Sequence, residues 1–133
     1  MKLDLFCDGA SRGNPGQASA GALLIDRESR KPVAALKKRL GVATNNEAEY
    51  EALLMGLEEA ARLGATEVRV SADSQLVIRQ IRGEYKVKHP EMRRRHGLAL
   101  ALLSKFERWE AGHIPREENA EADRLANEAL DQK

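Results

Sequence analysis

The chain has 133 residues, 42% hydrophobic and 32% charged, with a formal net charge of +1. This fits one globular domain, residues 1–133, large enough to bury a core without staples. Near-neutral charge excludes a polycation that binds any polyanion. No run of about 18 apolar residues exists for a membrane helix, and no apolar stretch follows Lys2 as a secretory signal requires.

The first predicted strand is Lys2 to Asp8, where Leu3, Leu5 and Cys7 alternate with Asp4, Phe6 and Asp8. The glycines and proline of Gly9 to Gly16 predict a tight turn that stops it. Cys7 lies on the apolar alternation and reads as a small buried hydrophobe. As the single cysteine, it forms no intrachain disulfide and points to a reducing, cytoplasmic setting. Residues 18–26 predict a second strand and 32–40 a third, with short connections that suggest an antiparallel meander. No Gly-x-Gly-x-x-Gly spacing marks a dinucleotide site.

Thr44-Asn45-Asn46 then opens a helix in which Tyr50, Leu53, Leu54, Leu57 and Ala61 recur at helical spacing and which Gly64 closes. Glu49 lies four residues before Leu53, at the rim of the core face. Glu67 to Asp73 predicts a strand, and Ser74 opens a helix with Leu76, Val77, Ile78 and Ile81. The strand–helix alternation implies that part of the sheet is parallel. A loop over 83–90 precedes a helix over 91–105, basic early and apolar later. A strand over 106–113 and a helix over 117–130 complete the chain. Residues 79–95 hold seven Lys/Arg against two Glu, whereas the last helix is mostly acidic.

Each of Asp8, Glu49, Asp73 and Asp123 alone also fits a plain structural role, as a turn former, a first-turn acid or a helix cap. Together they form a pattern. Asp8 and Asp73 end strands, and Glu49 and Asp123 sit near helix starts beside the core face. In an α/β layer such positions can meet at one sheet edge. Clustered carboxylates cannot all stay ionised without cations. An all-oxygen donor set suits Mg²⁺ or Mn²⁺, not zinc.

Four motifs carry a resemblance that runs nearly end to end: Asp8-Gly9-Ala10-Ser11-Arg12-Gly13-Asn14-Pro15-Gly16, Thr44-Asn45-Asn46-Glu47-Ala48-Glu49, Asp73-Ser74-Gln75, and His113-Ile114-Pro115-Arg116-Glu117-Glu118-Asn119-Ala120-Glu121-Ala122-Asp123. In these the chain resembles the type 1 ribonuclease H family. The resemblance implies an α/β fold, a five-stranded mixed sheet flanked by helices. It also implies a metal set of Asp8, Glu49, Asp73 and Asp123 holding two Mg²⁺ ions, with Mn²⁺ as the alternative. The implied activity is hydrolysis of the RNA strand of an RNA/DNA hybrid by metal-activated water, leaving 5′-phosphate and 3′-hydroxyl ends. His113 matches a mobile histidine thought to assist proton movement or product release, and imidazole as a class exchanges protons near neutral pH. Asn45, Gln75 and the backbone around Ser11 match groups that read RNA 2′-hydroxyls. Asn14, Thr44 and Asn46 match positions along the DNA strand, with Thr44 near a phosphate. The 2′-hydroxyl and helix shape are what let a protein tell RNA from DNA. For Asn45 and Asn46, helix capping is the competing role.

The chain departs from larger bacterial members, which carry a basic helix and a Trp-rich handle. Here residues 83–95 are short and lack Trp. Their charges either replace the handle in part or form a solvated face. The pattern looks like a compact archaeal and bacterial branch, in which discrimination against double-stranded RNA is less strict. The expectation is a monomeric endonuclease. The alternative is a non-catalytic hybrid- or double-stranded-RNA-binding module on the same fold.

Overall fold

The computed structural model describes residues 1–132. Its elements are β1 (Lys2–Gly13), β2 (Gly16–Asp26), β3 (Pro32–Ala43), α1 (Asn45–Arg62), β4 (Glu67–Ala72), α2 (Gln75–Ile81), α3 (Pro90–Leu103), β5 (Arg108–His113), a 3-10 turn (Arg116–Asn119) and α4 (Ala120–Asp131). The sheet order is β3-β2-β1-β4-β5. Pairs β3–β2 and β2–β1 are antiparallel, and β1–β4 and β4–β5 are parallel. The expected mixed five-stranded sheet is the one observed.

Several boundaries differ from the expected ones. The first strand does not stop at Asp8. It continues to Gly13, pairing with β2 as far as Gly13↔Gly16, so the turn is only Asn14-Pro15. What ends near Asp8 is the other neighbour: parallel pairing with β4 stops at Cys7↔Ala72. Gly9, counted as a strand breaker, serves close packing instead, whereas Gly13, at positive φ, and Gly16 flank the turn. A Cβ on Gly9 would lie 2.3 Å from the Ala48 carbonyl carbon, which shows how near α1 lies to β1. The third strand runs on to Ala43, the fourth stops at Ala72, and the fifth starts at Arg108. The last helix is preceded by a 3-10 turn rather than starting at Glu117.

Strand alternation sends Leu3, Leu5 and Cys7 toward α1, where Gly56 lets the helix settle against Leu5. Tyr50, Leu53, Leu54 and Leu57 are buried from the helix side. The opposite face is covered at one end by α4, which packs on β2 at Ser19 and Gly21. On α3 only Ala99 and Leu103 are buried. Leu98 and Leu100 are exposed, so only part of the apolar second half of that helix faces the core.

At the other end of the α4 face, no helix among the described residues covers Asp4. It is 3% exposed and is enclosed by Arg27, Arg30 and Arg69, the last holding both carboxylate oxygens at 3.1 and 3.0 Å. Burial pushes its pKa up, but the Arg69 and Arg27 guanidinium groups more than offset this and hold it below the usual value. Its stabilisation is therefore present above the unfolded carboxylate pKa, about 4, and is lost as pH falls through the lower folded value. Asp4→Ala should cost about 3 kcal/mol by leaving the guanidinium cluster uncompensated. Urea unfolding at pH 7 and pH 3 checks this, and the difference between variant and wild type should shrink at the acid pH.

Candidate active site

The parallel pairing places the site. Because β4 ends at Ala72, the flank of β1 beyond Cys7 is open, and Asp8 and Asp73 emerge side by side there. Ala72 also pairs with His113, so β5 delivers the histidine to the same edge. Glu49 arrives from α1 by way of Gly9, whose missing side chain lets the Ala48–Glu49 backbone touch the strand. Asp123 arrives from α4 by way of Gly21, the residue opposite Asp8 in the sheet. A Cβ on Gly21 would sit 2.4 Å from the Ala122 carbonyl oxygen. Two glycines thus bring two acid-bearing helices onto one carboxylate.

Oxygen atoms of Asp8, Glu49 and Asp73 lie within 4.8 Å of one another. Asp123 lies beside Asp8 but outside that tight group, and is partly solvated. It accepts from Asn127 at 3.3 Å and has Arg116 at 3.8 Å. At an effective dielectric of about 20, two carboxylates at that spacing repel by about 3–4 kcal/mol, so the cluster cannot be fully ionised without help. Burial first, and then Glu49 and Asp73, push the Asp8 pKa far up. Burial also raises Glu49, although the Asp8 side chain and the Gly9 amide work in the opposite direction. Asp8 and Glu49 are therefore both pushed toward their neutral forms while no cation offsets their charge. Burial and the same acids drive the Cys7 thiol up, which keeps it protonated and unreactive. The arrangement is what a divalent-cation site requires: oxygen donors only, from four elements, with more negative charge than burial tolerates.

The helix start is capped by Thr44 and not by either asparagine. Thr44 Oγ1 accepts from the Glu47 N–H at 3.1 Å, and the Thr44 N–H donates to Glu47 Oε1 at 2.8 Å. The hydroxyl proton of Thr44 remains a donor. Asn45 and Asn46 are exposed in the first turn, and their side chains make no hydrogen bond among the described residues. Asn14 Oδ1 accepts from the Asn45 N–H at 3.0 Å, which ties the hairpin turn to this helix. The Ser11 hydroxyl donates to the Ala43 carbonyl at 2.9 Å. Gln75 is exposed at the start of α2, behind the Ser74 cap. These residues line the same end of the sheet as the carboxylates. Asn119, a residue of the last motif with no role expected from sequence, donates to Asp73 at 3.0 Å from a buried position.

The basic run is largely spent within the fold. Arg79 and Arg82 pair with Glu84, Arg94 with Glu91, and Arg95 with Glu47, Glu51 and Glu91. Arg93 donates to the Val87 carbonyl. Lys86 and Lys88 make no ion pair among the described residues.

An α/β layer with carboxylates gathered where a parallel strand pair opens defines a class of fold that presents a candidate divalent-metal site. Residues 6–129 match the family model described as reverse transcriptase-like. The chain is 47% identical to the bifunctional protein Rv2228c of Mycobacterium tuberculosis, over 98% of this chain and 36% of that protein. It is 44% identical to ribonuclease HI of Halobacterium salinarum, over 98% and 65%. It therefore spans between about one third and two thirds of these relatives' lengths. The crystal structure of RNase H1 from that archaeon superposes with a TM-score of 0.95, covering 98% of each chain. LC11-RNase H1, solved in complex with an RNA/DNA hybrid, is 37% identical with a TM-score of 0.91, covering 97% of this chain and 96% of that one. The chain belongs to the ribonuclease H1 family.

Proposed function

We propose that this chain is one catalytic domain, residues 1–133, that cuts the RNA strand of RNA/DNA hybrids internally and leaves 5′-phosphate and 3′-hydroxyl ends. It acts as a monomer in the cytoplasm. The observation that carries the reading is the buried, over-charged cluster of Asp8, Glu49 and Asp73, with Asp123 beside it. These four would hold two Mg²⁺ ions, or Mn²⁺ in their place. Bound cations would neutralise the carboxylates, activate water and stabilise charge developing on the scissile phosphate.

The chain's own groups do the rest. Asp8 and Glu49 would supply ionised oxygens to the cations, whose charge would offset the burial that favours their neutral forms. His113, exposed at the end of β5, can pass a proton between the reacting phosphate and bulk water. Asn45 and Gln75 present amides that donate to and accept from a 2′-hydroxyl without reading base identity. Thr44 offers its hydroxyl proton to a phosphate oxygen of the DNA strand, with Asn14 and Asn46 beside it. Ser11 fixes the backbone of the hairpin that faces the RNA strand. Lys86 and Lys88 add screened attraction to the duplex.

End-labelled RNA/DNA, RNA/RNA and DNA/DNA duplexes incubated with Mg²⁺ test the specificity. RNA should be cut in the hybrid and DNA/DNA left intact, with the RNA/RNA lane setting the breadth. Asn45→Ala and Gln75→Ala should each raise KM roughly tenfold, the scale of one or two lost hydrogen bonds. Equal cutting of DNA/DNA would contradict the reading of the 2′-hydroxyl.

A further inference from the structure

Asn119 stands at the junction of the 3-10 turn and α4, in the position that would cap the helix, yet its side chain makes no capping bond. It is 2% exposed. Its Nδ2 donates to the Cys7 carbonyl at 2.9 Å and to Asp73 Oδ1 at 3.0 Å. Its Oδ1 is buried with no hydrogen-bond partner among the described residues.

Chemistry fixes the orientation of this amide. A carboxamide has two N–H donors on nitrogen and only acceptors on oxygen. Turning it over would put the oxygen against a carbonyl and a carboxylate, neither of which can donate. Both donors are therefore committed, and the buried oxygen is left bare. A bare buried acceptor costs stability, so what the residue gains lies at the groups it orients. One of them is the carbonyl immediately before Asp8. Another is Asp73 itself. The third is Asp123, four residues on and one turn into α4, the helix whose start Asn119 fixes.

We propose that Asn119 is a positioning residue of the metal site. Its amide holds Asp73 by Oδ1, which leaves Oδ2 for a cation. It also locks the start of α4 to β1, so that Asp123 comes to rest beside Asp8. Side chains that orient metal ligands govern metal affinity almost as strongly as the ligands do. The proposal rests on the divalent-metal reading given above.

The test compares wild type with Asn119→Leu, which keeps the branched shape and removes both donors, and with Asn119→Ala. Far-UV circular dichroism reports folding. Mn²⁺ affinity is measured by electron paramagnetic resonance on the protein alone, and hybrid cleavage is followed over a Mg²⁺ titration. Both variants should fold and bind Mn²⁺ about 10–100-fold more weakly. Half-maximal cleavage should need correspondingly more Mg²⁺, with kcat at saturating Mg²⁺ recovering in part. Mn²⁺ affinity equal to wild type in either folded variant, whatever its melting temperature, would overturn the positioning role. Wild-type protein that binds no Mn²⁺ would instead overturn the metal-site reading, and the proposal with it.

Discussion

Replacing Asp8 with Asn is expected to abolish hybrid cleavage and at the same time to stabilise the metal-free protein. The two effects share one cause. Asp8 is 6% exposed and its carboxyl is pushed far up by burial, by Glu49 and by Asp73. A carboxyl whose folded pKa lies above its unfolded value favours the folded state fully only below the unfolded value, about 4. As pH rises from there through the folded value, that contribution disappears, because unfolding releases the acid to ionise freely. At pH 7 the metal-free wild type therefore carries a penalty that an amide of the same shape lacks. Asp8→Asn should gain about 1–4 kcal/mol, the range seen when buried charge is replaced by a neutral isostere. It should also lose at least about 10²–10³-fold in activity, the scale of losing one pre-organised electrostatic group. Thermal melts with chelator and with Mg²⁺ check both sides. Mg²⁺ should raise the wild-type melting temperature more at pH 8 than at pH 5, and should raise that of the variant far less. A metal-free variant less stable than wild type would contradict the account of the cluster.

The second large effect is expected from a residue without a side chain. Gly9→Ala would place its Cβ 2.3 Å from the Ala48 carbonyl carbon and 2.4 Å from the Glu49 nitrogen, both backbone atoms of α1. No rotamer change can relieve such a clash, so strand and helix must part. Overpacking of this kind costs about 3 kcal/mol. The displacement would carry Glu49 away from Asp8, so activity at temperatures well below melting should also fall, roughly 10²-fold for a shift near 1 Å. Gly64→Ala is the control. Its added Cβ meets nothing within 4 Å, and its positive φ makes the cost one of backbone strain far from the site. It should lower stability and leave kcat unchanged.

The sequence made the carboxylate set legible through its motifs, and the sheet supplied the reason for the meeting. What could not be read was which neighbour of β1 ends first. Gly9 and Gly13 look like strand breakers in one dimension. In the fold β1 keeps β2 as a partner through Gly13, and Gly9 is empty because a helix backbone lies against it. The Thr44 cap was obscured for a similar reason. Thr44, Asn45 and Asn46 all have capping side chains, and only the reciprocal bond with Glu47, three residues on, selects the first. That choice leaves the Asn45 and Asn46 side chains outside the cap. Leu98 and Leu100 lie in an apolar half-helix yet are exposed, since an apolar residue in a helix need not face the core. Asn119 carries a weak signal in sequence, an asparagine four residues before the acidic Asp123. Its two acceptors lie 112 and 46 residues away in sequence. Only the packed structure brings them together.

The most direct test of the metal-nuclease account is one hybrid, labelled at the end of its RNA strand, incubated with wild-type protein in Mg²⁺ and in chelator. The account predicts a ladder of internal cuts in Mg²⁺ that bear 3′-hydroxyl ends, and intact RNA in chelator. Hybrid that is bound but left whole in Mg²⁺ and in Mn²⁺ would contradict it and make the domain a binding module.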